Sequence, residues 1–416
     1  MRWTLQGAHL VDAGYELPGG DLTIDGGQIE AVGAPAGTPG AVIDARTMFV
    51  LPGFIDVHTH GGGGYNLHTV SAEEIQAYAR WAPATGVTSF LIGVVGVPGA
   101  LPEAQLQAAA AAIDSWAGGA EPLGIHLEGP YISVKRRGAH PPSWLRLPDV
   151  NEIEHVLALA GGHLRLITLA PELPGAEAVI RRLVAAGVTV SLGHSDATYE
   201  QAQEAIQWGI THATHCCNAM RPLLHRDPGP LGAIAQAPQV SGELIADGVH
   251  VHPAMMNALV KILGPERTIV ITDALSAAGL AEDAEFDFAG QPARLIHGAA
   301  HLADGTLTGS VLTMDLALRN IVQATGVALQ EAVGMLSRNP ARAAKVAGRK
   351  GQLHAGYDAD LLIMDSNLAL QATICQGKLA FATDAWRERL SGLLPDADDG
   401  ALVVETESTR RDAPGE

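Results

Sequence analysis

Histidine and acidic side chains recur along this chain at points where an apolar, strand-like run gives way to a loop. The first point carries a pair, His58 and His60, in the segment FIDVHTHGGGG. Alternate residues of a strand point to the same face, so these two imidazoles can approach one ion. Four further candidates follow in the same setting: Glu128 in GIHLEGP, His194 in SLGHSDAT, His215 in THATHCCNAM and Asp273 in VITDALSAAG. Their repetition predicts a metal site.

The types of these side chains limit which metal they could bind. Imidazole and carboxylate together suit zinc, iron or another borderline divalent ion, whereas calcium is bound by oxygen atoms. A single histidine such as His194 could equally be a hydrogen-bonded residue at a strand end, and it is the set that favours metal binding. Cys216 and Cys217 follow His215 directly and could be soft ligands. Small packing residues are the favoured interpretation, because nitrogen and oxygen ligands are already available nearby.

A repeated sequence unit must position these side chains. Each copy of the unit consists of an amphipathic helix, a glycine and a strand rich in β-branched residues. It occurs in IQAYARWAPATGVTSFLIG, AVIRRLVAAGVTVSLGHS and EQAQEAIQWGITHATH. The first of these helices is preceded by Ser71-x-x-Glu74, which predicts a capping box. Alternating helices and strands predict a parallel sheet, either closed or doubly wound. In a doubly wound sheet the site lies at the single point where the strand order reverses, whereas the candidate metal ligands here lie at the ends of many strands. This distribution favours a (β/α)8 barrel.

The two ends of the chain differ from the middle and indicate a second, smaller unit. Residues 1–50 and 351–385 contain short strands separated by glycine turns. Each segment is too short to bury both faces alone, so we expect them to form one small β-sandwich beside a catalytic barrel over residues 51–350. The polar tail, residues 396–416, is expected to be disordered.

Composition excludes several classes of partner. The chain has 416 residues, 47% of them hydrophobic, and a formal charge of −19. It contains no block of lysine or arginine, so we expect neither nucleic acid nor an anionic membrane surface as a partner. GGGGYN after His60 lacks the spacing of a nucleotide-binding loop. The chain has only three cysteines, shows no signal-peptide pattern and contains no apolar run long enough to span a bilayer. These features predict a cytoplasmic protein.

Seven segments in order, FIDVHTHG, HLEGPY, GHSDAT, THxxNAM, ADGVHV, TDA and TGS, resemble the N-acetylglucosamine-6-phosphate deacetylases of the amidohydrolase superfamily. HLEGP and GHSDAT are the specific signals, whereas His-x-His marks only the superfamily. The resemblance implies a (β/α)8 barrel with one or two divalent metal ions. It also implies hydrolysis of the acetamido group of N-acetylglucosamine 6-phosphate to glucosamine 6-phosphate and acetate, a step of amino-sugar metabolism.

The resemblance also implies roles for individual residues. Glu128, His194 and His215 would hold the principal metal, and His58 and His60 would help to hold a second one, with Glu128 able to bridge. Some members of the family replace the His-x-His pair and use one metal. Because both histidines are present here, two metals are favoured.

Catalytic and binding roles follow from the same resemblance. Asp273 would take a proton from water and pass it to the departing amine, although an aspartate here could instead cap the next helix. His140 would hydrogen-bond the carbonyl oxygen. Together with His140, the residues implied to bind the substrate are Asn218, Ala219, Arg226, His250, Leu307, Thr308 and Gly309.

Arg226 lies in the loop RPLLHRDPGPLG and matches an arginine that reaches the phosphate site of a neighbouring subunit. The resemblance therefore implies a homodimer, whereas a loop arginine on its own is more simply a solvated surface residue. Two alternatives remain for the whole chain. One is a deacetylase of N-acetylgalactosamine 6-phosphate or of another N-acyl substrate. The other is a non-catalytic sugar-phosphate binding protein, which would be expected to have lost Asp273 or a metal ligand.

Overall fold

The computed structural model describes residues 1–33, 40–281, 284–288, 291–296, 298–303, 305 and 307–390. The tail expected to be disordered, residues 396–416, lies outside this range. Within it the strands are Arg2–Asp12 (β1), Tyr15–Asp25 (β2), Gln28–Val32 (β3), Ala41–Asp44 (β4), Phe49–Pro52 (β5), Phe54–Asp56 (β6), Gly61–Gly62 (β7), Tyr65–Asn66 (β8), Val87–Val95 (β9), Glu121–Glu128 (β10), Leu164–Leu169 (β11), Thr189–Leu192 (β12), His212–Ala213 (β13), Ser241–Ile245 (β14), Thr268–Ile271 (β15), Glu285–Phe288 (β16), Gln291–Ile296 (β17), Ala299–Leu302 (β18), Leu361–Met364 (β19), Leu370–Cys375 (β20) and Lys378–Ala382 (β21).

The helices alternate with the strands in the middle of the chain. They are Ala72–Trp81 (α1), Glu103–Asp114 (α2), Val150–Leu159 (α3), Ala176–Ala185 (α4), Tyr199–Trp208 (α5), Gly229–Ala235 (α6), Pro253–Leu263 (α7), Met314–Thr325 (α8), Leu329–Leu336 (α9), Arg338–Ala343 (α10) and Asp384–Leu390 (α11). No helix in the described part of the chain has both the length and the apolar character needed to cross a membrane.

A barrel of eight parallel strands, β6 and β9 to β15, forms the centre of the molecule. The strands pair in chain order, as parallel strands joined by helices do. Beyond the first and last strands, the backbone N–H of Asp273 donates to His58 O at 2.8 Å, and that of His60 donates to Ala274 O at 2.8 Å. These bonds bring the two ends of the strand series together. The predicted barrel is confirmed, and the doubly wound alternative is wrong.

The start of α1 shows how local sequence sets a helix boundary. Ser71 Oγ accepts from the backbone N–H of Glu74 at 3.2 Å, as a capping box requires. The carboxylate of Glu74 does not return to the cap but accepts from the backbone N–H of Asn66 at 2.9 Å. Only the Ser71 half of the predicted capping box therefore forms. The Glu74 side chain, expected to form the other half, instead connects the helix to the segment after His60.

Strands from both chain ends form one further sheet. Its order is β21, β20, β19, β5, β1, β2 and β3, with β4 paired to β1. Its core is separate from that of the barrel and contains Trp3, Leu10, Leu361 and Ile374. The predicted fold class, a barrel beside a small β domain built from both chain ends, is confirmed, and the strands that were expected to form a β-sandwich belong to one continuous sheet.

A buried group of charged residues links this sheet to the amino end of the barrel. Lys350 Nζ lies 2.9 Å from Glu121 at the start of β10, 3.0 Å from Asp358, and close to Asp360. The three carboxylates outweigh the cost of burial and raise the pKa of Lys350, so it stays charged. Lys350 is therefore paired with carboxylates at the amino end of β10, the opposite end of that strand from Glu128.

Candidate active site

The predicted metal ligands all lie at one end of the barrel, because each lies at or just beyond the carboxyl end of its strand. Five strands contribute: His58 and His60 follow β6, Glu128 ends β10, His194 follows β12, His215 follows β13 and Asp273 follows β15. The structure brings these six side chains together in two groups, one of Glu128, His194 and His215 and one of His58, His60 and Asp273.

The first group forms a nearly equilateral triangle of ligand atoms. Glu128 Oε1 lies 3.0 Å from His194 Nε2 and 3.2 Å from His215 Nε2, and the two nitrogens are 3.0 Å apart. Zinc bonds of about 2.0–2.1 Å in a tetrahedral site place neighbouring ligand atoms roughly 3.3 Å apart. The triangle therefore has the size that a shared divalent ion needs.

The tautomer of His194 adds a chemical reason for a cation at this place. Its Nδ1 lies 2.8 Å from the carbonyl oxygen of Arg136, which can only accept, so Nδ1 carries the proton. In the neutral ring Nε2 then directs a lone pair at Glu128 and His215. Facing acceptor atoms in a buried site repel one another unless a cation lies between them. The donor set fits a divalent metal ion.

The second group uses the other oxygen of Glu128. His60 Nε2 lies 3.2 Å from Glu128 Oε2 and 3.3 Å from Asp273 Oδ1. His58 Nε2 lies 3.4 Å from Asp273 Oδ1, is fully buried and has no hydrogen-bond partner among the described residues. Glu128 thus stands between the two groups. Asp273, to which the family resemblance gave only proton transfer, is also a potential ligand.

Electrostatics in this cluster reflect crowded carboxylates. Burial disfavours the protonated forms of His58 and His60, but the surrounding carboxylates have the larger effect. They raise the pKa of His58 well above its usual value and the pKa of His60 to about 9. Burial favours the neutral acid of Asp273, but His58 and His60 lower its pKa to about 2. Without a metal, protons therefore supply the positive charge, and a divalent ion would take their place.

Backbone conformation directs several of these side chains toward the barrel axis. His194, His215, Ala219 and Asp273 have φ angles of 47°, 26°, 46° and 50°. Such left-handed conformations cost non-glycine residues of order 1–3 kcal/mol and concentrate at functional sites. For His194, His215 and Asp273 this conformation falls two residues after the end of a strand, whereas Ala219 lies further along the loop after β13.

Gly93 of β9 provides the space that His60 occupies. A Cβ atom at this position would lie 2.8 Å from His60 Nδ1 and 2.2 Å from the carbonyl oxygen of Thr59. Any larger residue would have to displace the histidine or the adjoining backbone. The glycine therefore fixes the site indirectly, because it lets the loop after β6 approach β9 closely.

Sequence reasoning missed the residues that hold the ligands in place, above all Glu243 of β14. This fully buried carboxylate lies 2.9 Å from His58 Nδ1 and 2.9 Å from His212 Nε2, and accepts from the backbone N–H of His215 at 3.0 Å. It orients His58 so that Nε2 faces the cluster, the usual function of a second carboxylate behind a metal-binding histidine. The available signal was a glutamate inside an otherwise apolar strand, SGELIAD.

The two adjacent cysteines lie outside both donor groups. Cys216 is buried, and a Cβ atom at Gly242 would lie 2.8 Å from its Sγ atom. Burial raises the pKa of the Cys216 thiol, which disfavours the thiolate that a metal would need. The structure therefore favours the packing interpretation for Cys216, whereas Cys217 is exposed and does not pack behind the site.

A cavity of about 460 Å³ opens onto the two donor groups. Most residues implied to act on substrate line it: His140, Asn218, Ala219, His250, Asp273, Leu307, Thr308 and Gly309. Arg226 does not, and its side chain is exposed on the loop before α6. Residues that were not predicted also line the cavity, including Asn66, His68, Val95 and Trp144.

His250 holds one wall of the cavity. Its Nδ1 lies 2.6 Å from Asp247 Oδ2, and its Nε2 lies 3.0 Å from the carbonyl oxygen of Thr308. Both partners are acceptors, so both ring nitrogens donate and the ring is positively charged. Burial opposes this charge, but Asp247 outweighs it and raises the pKa of His250. The cavity thereby gains a cation in a strongly acidic protein.

The chain is similar to a known family and to several known proteins. Residues 49–385 match the model of the amidohydrolase family. The chain is 39% identical to the N-acetylglucosamine-6-phosphate deacetylase of Lysinibacillus sphaericus, over 82% of this chain and 88% of that protein. It is 38% identical to the N-acetylgalactosamine-6-phosphate deacetylase of Escherichia coli O157:H7, over 82% and 90%. The solved N-acetyl-D-glucosamine-6-phosphate deacetylase of Mycobacterium smegmatis, in complex with N-acetyl-D-glucosamine-6-phosphate, superposes with a TM-score of 0.86 at 35% identity, over 92% of this chain and all of that one.

Proposed function

This chain belongs to the amidohydrolase family, and from that membership we propose that it hydrolyses the acetamido group of N-acetylglucosamine 6-phosphate to glucosamine 6-phosphate and acetate. The observation that carries the proposal is the triangle of Glu128, His194 and His215 at the base of a cavity that Asp273 and His140 also line. A divalent ion held by this triangle would polarise the acetyl carbonyl group and acidify a bound water.

Asp273 acts as base and then as acid. Its low pKa keeps the carboxylate ionised at neutral pH, so it can accept the proton of the attacking water. It then passes this proton to the amine nitrogen as the C–N bond breaks. Burial and the nearby His194 and His60 lower the pKa of His140, which leaves a neutral ring able to donate a hydrogen bond to the carbonyl oxygen.

Two metal ions are the expected content of each subunit, since the second donor group is complete. Replacing His58 and His60 together by alanine should empty only that group and reduce the bound metal from two ions to one. Elemental analysis of the variant and the parent protein would measure this. Two ions retained by the double variant would contradict the assignment of these histidines.

Sugar selectivity tests the proposal against its nearest alternatives. Acetate release should be measured from N-acetylglucosamine 6-phosphate, its galactosamine epimer and unphosphorylated N-acetylglucosamine. We expect the highest kcat/KM for the first. A higher value for the galactosamine epimer, the substrate named for the Escherichia coli relative, would favour that assignment. Sugar-phosphate binding without acetate release would favour the non-catalytic alternative, although both donor groups and Asp273 are retained.

Phosphate recognition is proposed to use Arg226 from a second subunit of a homodimer. Arg226 is exposed and lies in a loop containing Pro222, Pro228 and Gly229, suited to reaching a neighbour. Its planar guanidinium group matches phosphate oxygens. If the phosphate were instead bound within one chain, the corresponding positively charged group would be His250 on the cavity wall.

Arg226→Ala should raise KM for the phosphorylated sugar roughly 10- to 100-fold, the value of a charge-assisted hydrogen bond. KM for the unphosphorylated sugar should change little, and Arg181→Ala on α4 provides a matched surface control. Mixed dimers of Arg226→Ala and Asp273→Asn subunits should recover activity, because one site then contains both residues. No recovery in verified mixed dimers, or an active monomer, would contradict the shared site.

A cytoplasmic location completes the proposal. The three cysteines are free in the structure, as expected for a protein of a reducing compartment. Its proposed substrate and its amino-sugar product are charged sugar phosphates.

A further inference from the structure

Asp196 lies two residues beyond the ligand His194 and has no part in the proposed reaction. Its side chain does not line the active-site cavity and belongs to neither donor group. Only 15% of the side chain is exposed. One carboxylate oxygen accepts from Arg136 Nε at 2.9 Å, and the other accepts from Lys135 Nζ at 3.2 Å. Both cations lie in the loop after β10, so Asp196 connects that loop to the strand end that carries His194.

The loop held by Asp196 carries two groups that the site needs. The carbonyl oxygen of Arg136 accepts from His194 Nδ1–H at 2.8 Å, and the opposite ring nitrogen then faces Glu128 at 3.0 Å. His140 follows four residues after Arg136, and its ring centroid lies 4.9 Å from that of His194. A backbone carbonyl behind a metal-binding imidazole orients the ring and raises its basicity. The position of this loop therefore affects both the metal ligand and the group proposed to contact the substrate carbonyl.

The part of the loop that carries this carbonyl is a single turn of 3-10 helix, Val134–Arg136. One turn is marginal on its own, because a single hydrogen bond fixes several backbone torsions. The side chains of Val134 and Lys135 are exposed, so apolar packing does not hold the turn. Its start is fixed by the backbone N–H of Ser133, which donates to His194 O at 2.8 Å. Its end is fixed by the contact between Arg136 and Asp196.

Asp196 is itself held by the loop after β11. Glu172 Oε1 accepts from the backbone N–H of Asp196 at 2.6 Å, and Glu172 Oε2 accepts from Ser195 Oγ at 2.7 Å. The contact with Arg136 therefore joins a fixed residue to the loop, and most of the Asp196 side chain is withdrawn from water. An ion pair between two exposed, freely rotating side chains lacks both features and contributes little.

We propose that Asp196 is a positioning residue, which holds the loop after β10 so that the Arg136 carbonyl orients His194 and His140 stays beside the ligand triangle. Its effect on catalysis rests on the proposed function. Its effect on His194 concerns metal binding and can be measured without any substrate.

Asp196→Ala should reduce kcat for acetate release about tenfold, as loss of a residue behind a metal ligand does. KM should change by less than about threefold, because the substrate wall of Asn218 and His250 lies outside this loop. Asp196→Asn, which keeps an oxygen acceptor for Arg136 Nε, should restore part of the lost kcat. Steady-state kinetics on N-acetylglucosamine 6-phosphate would measure all three proteins.

A double-mutant cycle separates this function from a general loss of stability. Arg136→Ala keeps the carbonyl oxygen but removes the group that holds it, so it should match Asp196→Ala. The double variant should be within about threefold of the slower single variant, because both substitutions break the same contact. Two unrelated losses would instead multiply. Lys135→Ala removes the exposed cation from the same carboxylate and should change kcat by less than about twofold.

Zinc affinity tests the effect on His194 independently of the reaction. In protein with alanine at both His58 and His60, zinc should bind only to the triangle of Glu128, His194 and His215. In that background Asp196→Ala should weaken zinc binding about tenfold, measured by competition with a chromophoric chelator. Glu154→Ala, which breaks an exposed pair with Arg182 outside the site, should leave the affinity unchanged.

Unchanged zinc affinity or unchanged kcat in Asp196→Ala would overturn the proposal, and so would multiplied effects in the double variant. Inactivity of metal-loaded wild-type enzyme toward N-acetylglucosamine 6-phosphate would instead contradict the deacetylase function. In that event the zinc measurement would still decide whether Asp196 orients His194.

Discussion

Asp273→Asn should reduce kcat for acetate release by about 10²–10⁴-fold, the usual contribution of proton transfer by a positioned side chain. Asparagine has nearly the same shape but cannot accept the proton of the attacking water. KM should change only slightly, because the Asn218 and His250 wall is retained. Steady-state kinetics on N-acetylglucosamine 6-phosphate would measure both values.

The metal content of this variant has to be measured in the same sample, because Asp273 also lies in the second donor group. The ion held by Glu128, His194 and His215 should be retained. Asp114→Asn at the exposed end of α2 provides a matched control. Near-normal kcat in Asp273→Asn would mean that this aspartate does not carry the proton and that another base must exist.

Removing the metal should abolish deacetylation, and adding back a divalent ion should restore it. Stabilisation of charge at the carbonyl oxygen by a bound metal contributes several kcal/mol, which the neutral His140 cannot replace alone. Chelation, dialysis and activity measurements with zinc, iron and manganese would test this. Circular dichroism of the stripped protein would show whether the barrel remains folded.

Full activity in protein proved free of metal by elemental analysis would contradict this prediction. A second experiment uses Glu128→Gln, which keeps the shape of the side chain that lies between the two donor groups. This variant should bind less metal than the parent and should not recover when ions are added. Recovery of normal activity would show that Glu128 is not a ligand.

Much of the site could be predicted from the sequence because its ligands lie at strand ends. His58, Glu128, His194 and Asp273 each follow an apolar run, and a closed parallel sheet necessarily brings such positions to one face. The barrel itself followed from the repeated helix, glycine and strand unit. The division into two donor groups depends on side-chain directions, so it came from the family resemblance and not from these patterns, and the place of Asp273 in the second group was not predicted.

The supporting residues could not be found in the same way. Glu243 and His212 lie inside strands, where the sequence gives no sign of which face they occupy. His68 lies in a loop and Trp144 in a single turn of 3-10 helix, Pro142–Trp144, so their approach to His140 depends on how two separate connecting segments pack. Glu74 matched a capping pattern, yet it bonds Asn66 because tertiary structure offers a backbone N–H there. Local patterns predict elements better than they predict contacts between loops.

The most direct test of the central claim is product analysis with purified, metal-loaded protein and N-acetylglucosamine 6-phosphate. We predict that acetate and glucosamine 6-phosphate appear in equal amounts and that Asp273→Asn with the same principal metal forms both far more slowly. No acetate from this substrate by protein whose metal content has been verified would contradict the account.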